Sequence, residues 1–156
     1  MKIEGSNNIK DIFSIFHDGC IINCHLEENA LVMEVEIEYL AERINPHFRK
    51  FTVRLAEIQK LRFSTWLNDL ESEPLVLTKF DSIFKPELEI AQGNVVEGQI
   101  QIICLQSDPE FEYCGGELYF TAVSAEVFDE AGKFYSVGEL VTLANAYWKE
   151  WSEKTR

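Results

Sequence analysis

Residues 31–39, Leu-Val-Met-Glu-Val-Glu-Ile-Glu-Tyr, decide the fold class of this 156-residue chain. Apolar side chains occupy every second position, and glutamates fill three of the four positions between them. Because successive side chains of a β-strand point to opposite faces, this alternation predicts a strand with one buried and one hydrated face. Strands that are hydrated on one side are typical of antiparallel sheets.

The segment just before this strand predicts its partner. Residues 20–26 alternate in the same way, and they place Cys20, Ile22, Cys24 and Leu26 on one face. A short polar link, residues 27–30, separates the two segments. Short polar links between alternating segments favour antiparallel pairing, so the two segments are predicted to form a hairpin.

Further strands are predicted downstream, over residues 51–55 and 58–66. The second of these segments also fits a helix, but a strand is the favoured interpretation. Residues 83–91 and 95–105 predict a second hairpin that turns at Gln92-Gly93-Asn94, with Gly98 as a bulge. Residues 117–128 have apolar side chains on both faces, which predicts one central strand after a connection closed by Gly115-Gly116.

Two helices are predicted, one near each end of the chain. Apolar residues at helical spacing indicate a short helix over residues 9–16, with Asn7 and Asn8 as candidate caps. Ser136 and Glu139 have the spacing of a capping box, and an amphipathic pattern follows them. The sequence therefore predicts one α+β domain over residues 1–156, an antiparallel meander of about six to eight strands with a short N-terminal helix and a C-terminal amphipathic helix packed on the sheet.

Charge is distributed very unevenly along the chain. Its 27 acidic and 14 basic residues give a net charge of −13. Residues 42–62 contain six basic and two acidic residues, a net of +4, whereas residues 63–132 contain two basic and fourteen acidic residues, a net of −12. Such a field repels phosphate backbones and anionic membranes, so neither nucleic acid nor a membrane is expected as a direct ligand. A basic protein is the expected partner, and solubility is the alternative reason for the charge.

Nine carboxylates form the candidate binding set. Three belong to the alternating strand, where they would follow one another at about 6–7 Å, and six belong to two acidic loops. Glycosidase carboxylates have a similar spacing but sit across a cleft on different elements, so solvated charge is the simpler interpretation of the strand acids. The nine residues are Glu34, Glu36, Glu38, Asp69, Glu71, Glu73, Asp108, Glu110 and Glu112.

The sequence contains no signature of a catalytic, nucleotide or metal site, and no cofactor is expected. Cys20, Cys24 and His25 lack the paired spacing of a structural zinc site. The alternative function is a small-ligand-binding protein or an enzyme with an interior pocket under the C-terminal helix. Such a pocket would hold Cys114, His17 or His25 within mutual reach, and this possibility stays open because such partners meet in space.

The N-terminus has no basic, apolar export signal, and no apolar stretch is long enough to cross a bilayer, so a cytoplasmic location is expected. The four cysteines are then expected to be free thiols in a reducing compartment. The expected assembly is a monomer or a homodimer, the latter through an exposed Trp66 or Trp148.

Two short segments and the acidic α+β character carry a family resemblance. They are Phe16-His17-Asp18-Gly19, before the first hairpin, and Tyr147-Trp148-Lys149-Glu150-Trp151, near the C-terminus. With them the chain resembles small cytoplasmic bacterial proteins of unknown function and, in general character, immunity proteins of contact-dependent or polymorphic toxin systems. The resemblance implies a non-enzymatic protein that blocks a toxin by covering a basic active site. It has no diagnostic motif, so it assigns no functional residue.

Overall fold

One long antiparallel sheet forms the frame of the molecule. The computed structural model describes residues 2–69 and 71–154, and within them eleven strands pair, more than the six to eight predicted. The strands are β1 (Ile3–Glu4), β2 (Cys20–Glu27), β3 (Ala30–Glu36), β4 (Lys50–Ala56), β5 (Gln59–Leu67), β6 (Val76–Leu77), β7 (Leu88–Val96), β8 (Gln99–Leu105), β9 (Tyr113–Thr121), β10 (Ser124–Phe128) and β11 (Phe134–Tyr135). Their order across the sheet is β1-β10-β4-β3-β2-β7-β8-β9-β5-β6, with β11 paired to β10.

The hairpin predicted from the opening stretch is confirmed, but its second strand is shorter. In β3, Leu31, Met33 and Val35 are fully buried, and the strand pairs with β2 from Glu27↔Ala30 to Cys20↔Glu36. A helical turn, α2 (Glu38–Ala41), replaces the predicted end of the strand. Within this turn Leu40 and Ala41 become fully buried. The helical turn places both of these apolar side chains in the core. A continuing strand would have placed them on opposite faces of the sheet.

The second hairpin is also confirmed, but its turn was predicted at the wrong glycine. The chain turns at Glu97 and Gly98, whose φ angles of 52° and 76° suit the two-residue turn of a hairpin. Gly93 instead lies inside β7, opposite Ile102. A Cβ atom there would lie 2.5 Å from the carbonyl oxygen of Lys10, so the helix that contains Lys10 requires a glycine at this point.

The predicted central strand over residues 117–128 is two strands in different parts of the sheet. β9 pairs with β5 and β8, whereas β10 pairs with β1, β4 and β11. Gly115 and Gly116 do not close a loop but lie within β9, where a Cβ on Gly116 would collide with the backbone of Ser64. The apolar pattern was continuous because both strands contribute to the same core.

The N-terminal helix covers the middle of the sheet. It is α1 (Ser6–Ile15), which begins before the predicted start and has no side-chain cap, so the asparagine caps were wrong. Its apolar face, Ile9, Ile12 and Phe13, is fully buried and packs on β7 and β8. A second short helix, α3 (Phe80–Ile83), contacts β5 and buries Ile83.

The C-terminal helix is confirmed as α4 (Val137–Lys154). Its capping box forms as predicted: the Glu139 N–H donates to Ser136 Oγ, and the Ser136 N–H donates to Glu139 Oε1, both at 3.1 Å. α4 packs mainly against α1, α2 and β11 rather than on the broad face of the sheet, because α1 already occupies that face. None of the helices in the described part of the chain has the length and apolar character that crossing a bilayer requires.

We expect Gly93→Ala to destabilise the protein by about 1–3 kcal/mol, because its new methyl group would overlap backbone of α1. Gly138→Ala is the matched control, since a Cβ there meets nothing closer than Ser136 Oγ at 3.8 Å and alanine favours the helix. Urea unfolding measures both. Equal midpoints for the two variants would contradict the assigned packing of α1 on β7.

Candidate functional site

The two acidic loops predicted from the sequence meet at one end of the sheet. The first loop, described over residues 68–69 and 71–75, follows β5, and the second, residues 106–112, precedes β9. Because β5 and β9 are paired neighbours, the loops leave the sheet side by side. The Asn68 N–H donates to the Glu112 carbonyl oxygen at 3.0 Å and joins them directly.

A groove of about 410 Å³ lies between these loops. Its lining combines apolar side chains with two carboxylates that come from different loops, Asp69 and Glu112. The lining residues are Leu67, Asn68, Asp69, Ser72, Pro109, Phe111 and Glu112. A groove that contains both apolar side chains and carboxylates offers a complementary surface to a long cationic side chain.

Internal hydrogen bonds fix the shape of the first loop. Asp69 accepts the Glu71 N–H at 3.0 Å and the Ser72 hydroxyl at 2.8 Å. The bond from the Glu71 backbone, followed by the one from Ser72, lowers the pKa of Asp69. The carboxylate is therefore held ionised and oriented before any partner binds.

A buried glutamine fixes the second loop. Gln106 is 5% exposed, and its amide donates to the carbonyl oxygens of Tyr113 at 2.8 Å and Asp108 at 3.1 Å. Its side-chain oxygen accepts the Asp108 N–H. Asp108 in turn accepts the Glu110 N–H at 2.9 Å. Internal hydrogen bonds thus hold the carboxylates of Asp69 and Asp108 in place before any partner binds.

The three predicted strand acids do not share one face. Glu34 pairs with the ammonium group of Lys50, which raises the pKa of that lysine through their hydrogen bond. Glu38 lies on α2, not on the strand, and its carboxylate is 3.5 Å from Arg49 Nη1. Glu36 alone remains an exposed strand acid with no ion pair in the described residues. The helical turn at α2 separates Glu38 from the other two.

The strand order places Glu36 at the same end of the sheet as the two loops. The sequence alone did not reveal this order. Cys20 lies opposite Glu36 on one side and Glu89 on the other, and Glu89 lies opposite Leu105, the last residue of β8. Burial raises the pKa of the Cys20 thiol, and the charges of Glu89, Glu87 and Glu36 raise it further. We call the whole group the acidic end. Its members are Glu36, Asp69, Glu71, Glu73, Glu87, Glu89, Asp108, Glu110 and Glu112.

The carboxylates of the acidic end form no close ion pairs within the described residues, although Lys50 lies opposite Glu36 on the neighbouring strand. No Lys, Arg or His nitrogen in residues 2–69 and 71–154 lies within 4.0 Å of its carboxylates. The cations of the basic stretch pair elsewhere, as Arg43 does with Glu150 through two bonds of 2.6 and 3.0 Å. Arg54 lies between Glu27 and Glu126. Four of the six cations of this stretch thus pair with carboxylates outside the acidic end, whereas Lys60 and Arg62 have no carboxylate of the described residues within 4.0 Å.

A second and larger groove, of about 730 Å³, lies open beside α4. Arg43, Tyr135, Ser136 and Leu143 contribute to its lining, and no cysteine or histidine of the described residues does. Because it lies beside the C-terminal helix, this groove corresponds best to the pocket that the alternative function requires.

The thiol and imidazole groups that the alternative would use lie apart. His17 stacks on Trp148 at 5.5 Å between ring centroids, and His25 Nε2 is 3.0 Å from Glu27. The Cys114 thiol donates to the carbonyl oxygen of Trp66 at 3.6 Å. Each of the three residues has its own neighbours, so their contacts form no shared reactive centre.

No group of three or more His, Cys, Asp or Glu side chains within the described ranges is arranged to hold a metal ion. Comparison with known proteins adds nothing: no family model, no curated protein and no solved structure matches the chain. The function is therefore inferred from the residues of this chain alone.

Alkylation of the thiols reports on the acidic end. With iodoacetamide at pH 8 we expect exposed Cys114 to react first, whereas Cys24 and Cys104, whose pKa values burial raises to about 12, stay unmodified. Cys20 should react slowly in low salt and faster in high salt, because salt screens the carboxylates that raise its pKa.

Glu89→Gln, like high salt, should speed the alkylation of Cys20, because it removes one of the charges that raise the pKa of this thiol. Cys24 is the matched control, since burial alone raises its pKa and the substitution should leave its reaction unchanged. Peptide mass spectrometry measures each rate. A Cys20 rate that neither salt nor the substitution changes would contradict the electrostatic assignment.

Proposed function

We propose that the chain is a non-enzymatic binding protein that engages a basic protein through the acidic end. The observation that carries the proposal is the groove between the two loops, in which Asp69 and Glu112 flank the apolar side chains Leu67 and Phe111. Charge alone would serve solubility, but a groove that combines apolar side chains with carboxylates free of cationic partners also provides a surface for specific contact.

The groove is chemically complementary to arginine or lysine side chains of the partner. Their methylene stems would pack against Phe111 and Leu67, while their charged heads reach Asp69 or Glu112. Arginine suits the site best, because its planar group donates two parallel hydrogen bonds to one carboxylate. Preordered loops reduce the entropy that such binding would cost.

The role that suits this surface is inhibition. A protein that binds nucleic acid or cleaves it presents cations to hold phosphates, and a carboxylate surface of opposite potential would cover those cations. Opposite fields also raise the rate of encounter, which favours an inhibitor that must capture its target quickly. An immunity protein of a toxin system would act in this way.

The groove beside α4 supports a small-ligand function less well. Its polar side chains are engaged within the protein: Arg43 binds Glu150, Tyr135 donates to Asp129 at 2.7 Å, and Ser136 caps α4. A ligand would have to break these bonds to be recognised. At the acidic end Asp69 and Asp108 also accept internal hydrogen bonds, but from neutral donors, so their charges stay available to a cation.

Affinity capture from cells that naturally express the protein, followed by binding measurements on the purified pair, tests the proposal. We expect a partner with a basic surface whose dissociation constant rises steeply with salt. The double variant Asp69→Lys/Glu112→Lys should weaken binding at least about tenfold, because it reverses the charge on both sides of the groove.

The double variant Glu57→Lys/Glu97→Lys is the control for the change in net charge, because both residues are exposed, Glu57 between β4 and β5 and Glu97 in the β7–β8 turn, at the opposite end of these strands. It should change the affinity by less than about twofold. A partner that is not basic, a dissociation constant insensitive to salt, or equal losses from the groove and control variants would each overturn the proposal. So would the capture of no partner at low ionic strength.

A further inference from the structure

The edge strand beside the acidic loops is free to pair with another chain. β6 ends the strand order, and its one neighbour among the described strands is β5. We propose that the basic partner docks by adding an extended segment to the open edge of β6. This inference rests on the proposed function and specifies how the partner is held.

The hydrogen bonds of β5 and β6 show which backbone groups are available. The Thr65 N–H donates to the Leu75 carbonyl oxygen at 2.9 Å, and the Leu75 N–H donates to Thr65 Oγ1 at 3.0 Å. Leu75 therefore directs its backbone groups toward β5. Since these directions alternate along a strand, the N–H and C=O groups of Val76 point away from β5, into the open edge.

The side chains at this edge are apolar and exposed. Leu75 is 55% exposed and Val76 is 56% exposed, and the two occupy successive positions of an extended segment, so they project to opposite faces. Exposed edges are commonly guarded by charged side chains and proline, which here flank the edge as Lys79 and Pro74 and leave Leu75 and Val76 themselves uncharged. An incoming strand would cover both residues while its backbone pairs with Val76.

The charge around the edge selects the occupant. Asp69, Glu71 and Glu73 lie in the loop that leads into β6, and the second acidic loop lies beside it. An acidic strand would be repelled by this potential and a neutral strand would gain nothing from it, whereas a segment that alternates cations with small apolar residues complements both features. The occupant is thus an extended basic segment of the partner, with backbone bonds giving affinity and charge giving selectivity.

A defined probe tests the inference without the natural partner. The peptide acetyl-Lys-Val-Arg-Thr-Lys-Val-Arg-Thr-Lys-Val-amide carries the required alternation, and its binding to the full chain can be followed by calorimetry at low salt. Val76→Pro removes the outward N–H but none of the bonds to β5, and edge strands tolerate proline. It should weaken peptide binding about fivefold, the loss typical of one hydrogen bond.

A second measurement leaves the protein unchanged. The same peptide N-methylated at every residue keeps its charge but loses its backbone donors, and it should bind at least about fivefold more weakly to the unmodified chain. The double variant Asp69→Lys/Glu112→Lys should weaken both peptides, because both depend on the charge. This pattern would support strand addition at β6.

The other outcomes separate the two proposals. If the double variant weakens binding but neither Val76→Pro nor N-methylation does, strand addition is wrong and the acidic end still binds cations. If the double variant leaves peptide binding unchanged, the acidic end is not the cation-binding surface, and both proposals fail. Failure of the unmodified peptide to bind at low salt would overturn strand addition, and the captured partner then decides the proposed function.

Discussion

The packing of α1 against β7 is the constraint on which the rest of the structure depends. The sheet has two halves, and at their junction β2 and β7 share a short ladder, Cys20↔Glu89 and Ile21↔Leu88. Backbone bonds from Asp18 to Ile90 and from Ile90 to Gly19 extend this ladder slightly. α1 precedes β2 in the chain and packs on β7, so it covers the junction on the buried side of the sheet. α4 packs against α1 in turn.

The sequence predicted local structure well and distant pairing poorly. The alternation of residues 31–36 and the capping box at Ser136 each involve residues only a few positions apart, so both could be recognised from the sequence alone. Gly93 and Gly116 were misread because a glycine that a turn requires looks the same in sequence as one that a neighbouring backbone requires. Their neighbours, Lys10 and Ser64, are distant in the chain.

The same limit applied to the candidate site. The loops were recognised from their composition, but their meeting depends on the pairing of β5 with β9, two strands that are distant in sequence. Glu87 and Glu89 were missed because their place beside Cys20 follows from the β2–β7 pairing. The pairing of Glu34 with Lys50 could have been anticipated, since adjacent β-strands bring opposite charges together, but β3 and β4 first had to be known as neighbours.

The uncompensated charge of the acidic end links the stability of the fold to the ions around it. Like charges held close together oppose the compact state, and here they gather at the same end of the sheet as the short β2–β7 ladder. Any cation that binds there preferentially in the folded state lowers that repulsion and stabilises the fold by mass action. The basic partner proposed above would stabilise the fold in this way, and dissolved salt would have the same effect in its absence.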